Sequence, residues 1–119
     1  NAHGAAALAA ALADMGRARP APLVLILGMM NTRAPADFLL PFHGRVAKIF
    51  AVTIPGEPNA HPAAMVAGAA RGAGFEVEIA RSITAAVTSA AVIPKARVLI
   101  CGSLYLGGHV LARNGTPPQ

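Results

Sequence analysis

The sequence predicts an α/β fold, a three-layer αβα Rossmann-like domain built on a mostly parallel sheet. Four short runs rich in aliphatic residues, Leu23–Leu27, Lys48–Ile54, Phe75–Ala80 and Arg97–Cys101, alternate with alanine-rich stretches of helical length. The first of them, Leu-Val-Leu-Ile-Leu, lacks the polar alternation of a half-exposed strand and matches a strand buried on both faces. Glycine or proline marks nearly every junction between a run and a stretch.

Taken in order, residues 3–15 form a helix on propensity, with Leu8, Leu12 and Met15 on one stripe and Gly16 as its end. An Arg-Ala-Arg-Pro-Ala-Pro loop then leads to strand Leu23–Leu27, closed by Gly28. A helix over Pro35–Phe42 begins with proline in its first turn. Lys48–Ile54 is the second strand, stopped by Pro55-Gly56, and His61–Gly72 is a helix opened by Pro62. Gly74 sets up strand Phe75–Ala80, Ser82 caps a helix that runs through Ala91, and Pro94 separates it from strand Arg97–Cys101. A last helix is expected over Leu104–Arg113, stopped by Asn114-Gly115, with Thr116–Gln119 as a loose tail.

Length and composition bound the rest. At 119 residues the chain reads as one domain, 1–119, and 55% hydrophobic against 13% charged residues excludes a disordered chain. The formal net charge is +5, but the ten Lys and Arg residues are spaced singly without interleaved aromatics, so no nucleic-acid partner is expected. No apolar run is long enough to span a membrane and no signal peptide is legible, which makes a cytoplasmic protein the expectation. The single Cys101 lies inside an apolar strand and reads as a buried structural thiol in a reducing compartment. Neither Gly-x-Gly-x-x-Gly nor a P-loop occurs, and His3, His43, His61 and His109 fall on separate elements without partners at metal spacing. No metal site is expected.

In parallel sheets ligands bind at the carboxyl ends of the strands, which singles out the loops Gly28–Arg33, Pro55–His61 and Gly102–Tyr105. At the third, the strand breaks at Gly102-Ser103 and restarts as a helix. A hydroxyl and unpaired N–H groups at a helix N-terminus suit a carboxylate or phosphate. Ser103 acting only as a helix cap is the plainer alternative.

The segment Cys101-Gly102-Ser103-Leu104-Tyr105-Leu106-Gly107-Gly108 resembles the closing motif of the folylpolyglutamate synthase/dihydrofolate synthase family, which are Mur-ligase-like ATP-dependent amide ligases. Three further segments match that family in order. Asn1-Ala2-His3-Gly4 onward resembles the stretch after its Asp-Gly-x-His-Asn strand end. Leu25-Ile26-Leu27-Gly28-Met29-Met30-Asn31-Thr32-Arg33 resembles its Gly-Met-Leu-Asn-Thr-Lys-Asp loop, and Thr53-Ile54-Pro55-Gly56-Glu57 with Pro62 its next strand exit.

The resemblance implies the C-terminal, amino-acid-binding domain of a larger ligase that adds L-glutamate to dihydropteroate or folylpolyglutamate through an acyl phosphate. It implies Arg33, Ser103 and Leu104 as glutamate contacts and His3 as the residue nearest ATP, with no catalytic residue in this segment. Arg33 stands where the family has Lys, and Ala34 where it has Asp. ATP, Mg and the folate or pteroate substrate would be held through the P-loop domain, outside this sequence. Asn1-Ala2 also match the end of a purification-tag scar and are given no role. Two other readings stay open: a stand-alone Rossmann-like module for a small anion or for regulation, and the C-terminal domain of a sibling cell-wall ligase. The family's first strand of this domain would lie upstream of Asn1; its absence would leave an open sheet edge, so the segment is expected to dimerise or exchange elements unless helix 3–15 covers the gap.

Without a phosphate-cradling loop, residues 1–119 alone are expected neither to hydrolyse ATP nor to bind it tightly. Isothermal titration of ATP checks this, and a micromolar dissociation constant contradicts it.

Overall fold

A computed structural model describes residues 2–18 and 20–102, with the side chains of Ala2, His3, Gly16, Ala18 and Gly102 also outside the description. Ser103, Leu104, the expected final helix over Leu104–Arg113 and the tail lie outside the described residues. The elements are helix α1 (Ala2–Ala18), strand β1 (Leu23–Gly28), helix α2 (Pro35–Leu39) with a 3-10 turn at Leu40–Phe42, and strand β2 (Lys48–Ala51). Helix α3 (Ala63–Gly72), strand β3 (Val77–Ile79), helix α4 (Ile83–Ala91) and strand β4 (Arg97–Gly102) complete them.

Every strand pairing is parallel and the sheet order is β3-β2-β1-β4, an α/β fold of the expected kind. The unbroken aliphatic run of β1 is explained by its place. It is hydrogen-bonded on both sides, and all six of its residues are buried. Alternate side chains divide the core between two layers. Leu23, Leu25 and Leu27 face Ala5 and Ala9 of α1, Phe38 of α2 and Val66, Ala67 and Ala70 of α3. Val24 and Ile26 face Ile83, Ala86 and Ala90 of α4. Helices α1, α3 and α4 each meet the sheet partly through alanines, Ala5 and Ala9, Ala67 and Ala70, and Ala86 and Ala90.

Strand β2 ends at Ala51 rather than Ile54 and β3 keeps only Val77–Ile79 of Phe75–Ala80, and three helix boundaries move for physical reasons. Helix α1 runs past Gly16 to Ala18, because a mid-helix glycine costs only about 1 kcal/mol and the Asp14–Arg17 ion pair bridges the same turn. The expected Pro35–Phe42 helix is split, since Pro41 offers no N–H for an α-helical bond and the chain tightens into a 3-10 turn. Helix α3 starts at Ala63 rather than His61, with Pro62 extended at ψ 145°. The Ser82 cap stands as expected: its Oγ accepts the Ala85 N–H at 2.9 Å. Among the described residues the outer strands are β3 and β4, and β1 is paired on both sides.

Gly28 is where β1 must stay bare. A Cβ at this position would lie 3.1 Å from Ile54 Cγ1, 3.1 Å from Val52 Cγ2 and 3.3 Å from the Val52 carbonyl oxygen. Val52 and Ile54 are fully buried and have no room to retreat. Gly28→Ala is therefore expected to destabilise the fold by about 1 to 3 kcal/mol, the usual cost of overpacking. A lowered urea midpoint checks it, and an unchanged one contradicts it.

Cys101 is 7% exposed, and burial pushes its thiol up from 9.0 to about 12. The buried thiol holds its proton where an unfolded one would release it, so its contribution to stability is complete below pH 9.0 and is lost as the pH rises towards 12. At pH 8 iodoacetamide is expected to label Cys101 only after unfolding in urea. Rapid labelling of the folded protein contradicts this.

Candidate functional site

The loops that leave β1 and β2 lie side by side and are stitched together by backbone hydrogen bonds. The His61 N–H donates to the Met29 carbonyl at 2.8 Å and the Asn31 N–H to the Asn59 carbonyl at 2.7 Å, flanking an antiparallel bridge between Met30 and Ala60. Met29, 1% exposed, anchors the first loop in the core. Gly56, at φ +75°, allows the turn after Pro55 in the second. Pro62 has no side-chain cap for α3, so the Ala63 N–H donates to Thr53 Oγ1 at 2.8 Å across the loop.

Between these loops and α3 lies a cavity of about 350 Å³. Asn31, Thr32, Arg33 and His61 supply its polar wall, and Met65 and Ala69 of α3 its apolar wall. The Arg33 backbone N–H closes a turn on the Met30 carbonyl at 3.4 Å. Its guanidinium lies over the Phe38 ring, with Cζ 5.6 Å from the centroid, and its Nη1 is buried with no hydrogen-bond acceptor among the described residues. A buried charged donor without an acceptor costs more than the roughly 1 to 3 kcal/mol of a neutral one. An anionic ligand oxygen in the cavity would remove that cost, and a carboxylate matches the flat fork of donors that a guanidinium presents.

Arg45 shows the contrasting case. It borders a smaller depression of about 180 Å³ at the amino ends of β1 and β4, lined also by Leu12, Leu23 and Arg97. There its Nη1 donates to the Ala9 carbonyl at 3.1 Å, a structural contact to α1. Lys48 is likewise engaged, 3.3 Å from Glu78 Oε1 and 3.9 Å from Glu76 Oε2.

Of the residues expected to form the site, Arg33 is the one the structure places in a cavity. Ser103 and Leu104 lie outside the described residues, but Gly102, which precedes them, pairs with Gly28, so the β4 exit starts beside the β1 exit. His3 belongs to the first turn of α1, at the opposite end of that helix from Leu12 and Ala13, which line the amino-end depression. Its side chain lies outside the described residues. His61 is the addition. Reading it as the first residue of a helix hides its role in the loop, although a residue before proline is pushed towards extended backbone and Pro62 carries that signal. Among the described residues no group of His, Cys, Asp or Glu could hold a metal ion, and no helix is long and apolar enough to cross a membrane.

Neither a family model nor a curated protein matches the sequence. Solved structures do. The bifunctional folylpolyglutamate synthase/dihydrofolate synthase of Yersinia pestis, complexed with AMPPNP and Mn, is similar with a TM-score of 0.78 and 21% identity over 97% of this chain and 27% of its own. The folylpolyglutamate synthase of Mycobacterium tuberculosis, complexed with ADP and AMPPCP, gives 0.74 and 24% over 100% of this chain and 29% of its own. E. coli FolC in complex with DHPP and ADP gives 0.75 and 21% over 97% and 27%. The chain spans between 27% and 29% of the length of these three structures, and over that span it has their fold.

Proposed function

We propose that this chain is the C-terminal, amino-acid-binding lobe of an ATP-dependent ligase that joins L-glutamate to dihydropteroate, to folylpolyglutamate or to both. One observation carries the reading: at the carboxyl side of the central strand, Arg33 lines a cavity and holds a buried guanidinium nitrogen that has no acceptor among the described residues. Its support is the fold shared with folylpolyglutamate and dihydrofolate synthases, whose Y. pestis and M. tuberculosis structures hold nucleotides.

In this reading a carboxylate of the incoming glutamate is held by Arg33, and Ser103, which follows the strand end paired with Gly28, supplies a hydroxyl and Leu104 a contact from the adjacent exit. Fixing the carboxylate leaves the amine free to attack the acyl phosphate that the rest of the ligase forms from ATP. The lobe's contribution is therefore orientation, which lowers the entropic part of the barrier. In this reading ATP and Mg would be held through the P-loop domain of the parent. His3 would lie on the nucleotide side of the lobe, and a cytoplasmic setting suits the free thiol of Cys101.

In the intact parent, Arg33→Ala is expected to raise the KM for glutamate by about one to two orders of magnitude, the scale of a charge-assisted hydrogen bond, and to leave the KM for ATP nearly unchanged. Ser103→Ala is expected to act in the same direction. Steady-state kinetics with each substrate varied in turn checks both, and equal effects on the two KM values contradict the assignment.

A further inference from the structure

We infer that His61 is a positioning residue for Arg33: its ring fixes the Arg33 backbone and so aims the guanidinium into the cavity. The inference rests on the amino-acid-binding reading of the cavity and adds to it a residue from the second loop.

The geometry is specific. His61 Nε2 lies 2.8 Å from the Arg33 carbonyl oxygen. A carbonyl only accepts, so Nε2 carries the proton and donates it. The ring is held from two directions, since the His61 backbone N–H is bound to the Met29 carbonyl and Pro62 limits the conformations open to residue 61. His61 therefore ties the first residue of one loop, Met29, to its last described site residue, Arg33, through a single side chain and its own backbone.

Arg33 needs such a tie. Its own N–H makes only a long 3.4 Å contact to the Met30 carbonyl, and Asn31 and Thr32 before it are exposed. The Phe38 ring supports the face of the guanidinium without fixing the rotation of the backbone that carries it. The Nε2 hydrogen is committed to the Arg33 carbonyl and Nδ1 can then only accept, so towards a carboxylate in the cavity His61 acts through Arg33. A guanidinium aimed correctly before the ligand arrives binds it with less ordering cost. A misplacement of about 1 Å in a site of this kind can cost as much as a hundredfold.

Three single variants, one double variant and two readouts test this. His61→Ala removes the donor; His61→Gln keeps an N–H at nearly the same reach; Arg33→Ala removes the group being positioned. In the intact parent, His61→Ala is expected to raise the KM for glutamate about tenfold, with the KM for ATP within about twofold. His61→Gln should restore most of the loss, and His61→Ala added to Arg33→Ala should cost nothing further, as two residues acting through one contact are not additive. An added loss in the double variant, or a Gln variant as impaired as Ala, overturns the inference. The second readout is NMR relaxation of the Arg33 Nε–Hε group in the same protein without ligand. His61→Ala should make this group more mobile and His61→Gln should not, and unchanged mobility in the Ala variant overturns the inference whatever the kinetics. Arg33→Ala with an unchanged KM for glutamate would instead sink the proposed function, leaving the relaxation measurement to decide whether His61 holds Arg33.

Discussion

The structure depends on the burial of β1 between two parallel neighbours. A strand with both faces covered has no water to satisfy its N–H and C=O groups, so each must find a partner on β2 or β4. That requirement fixes the register, with Leu25 opposite both Ile49 and Leu99, and the register fixes which side chains enter each core layer. The faces of β1 are closed by helices, so open space is left at its two ends: the depressions beside Arg45 and Arg97 at the amino end, and the cavity beyond Gly28 at the carboxyl end.

Past that point the backbone continues to organise the site. The β1 and β2 exits pair with each other for three residues' length around Met30 and Ala60, extending the order of the sheet into loops that carry no regular element of their own. Glycine at position 28 lets the β1 exit pass close under Val52 and Ile54. Loops held this way can present a charged side chain in a fixed place, which is the difference between Arg33 and a solvated surface cation. Arg45 makes the comparison within one molecule: both residues border a depression, but Arg45 spends its donor on a helix carbonyl and Arg33 leaves one buried donor without an acceptor among the described residues.

The fold was legible because its two periodic signals were strong. Unbroken aliphatic runs located β1 and β4, and alanine stripes located the helices that pack closest to the sheet. Errors gathered where one residue's backbone chemistry opposes the pattern around it: Gly16 is carried along by a long helix, and Pro41 and Pro62 each shorten one. At the site, the loop Gly28–Arg33 could be singled out from its place after the buried strand, and Arg33 within it only through the family resemblance. His61 could not be assigned its part, because a hydrogen bond to a backbone carbonyl 28 positions away leaves no trace in spacing or composition. The cavity wall from Met65 and Ala69 was hidden for the same reason, since helix phase relative to another loop is a tertiary property.

In the proposed function, the Arg33 nitrogen that lacks an acceptor among the described residues anchors the carboxylate of an amino acid. A crystal structure of the intact parent with L-glutamate bound tests this most directly. The account predicts a glutamate carboxylate oxygen at about 2.7 to 2.9 Å from Arg33 Nη1, the usual distance of a charge-assisted hydrogen bond. Glutamate bound elsewhere, with Arg33 Nη1 still lacking an acceptor, would contradict it.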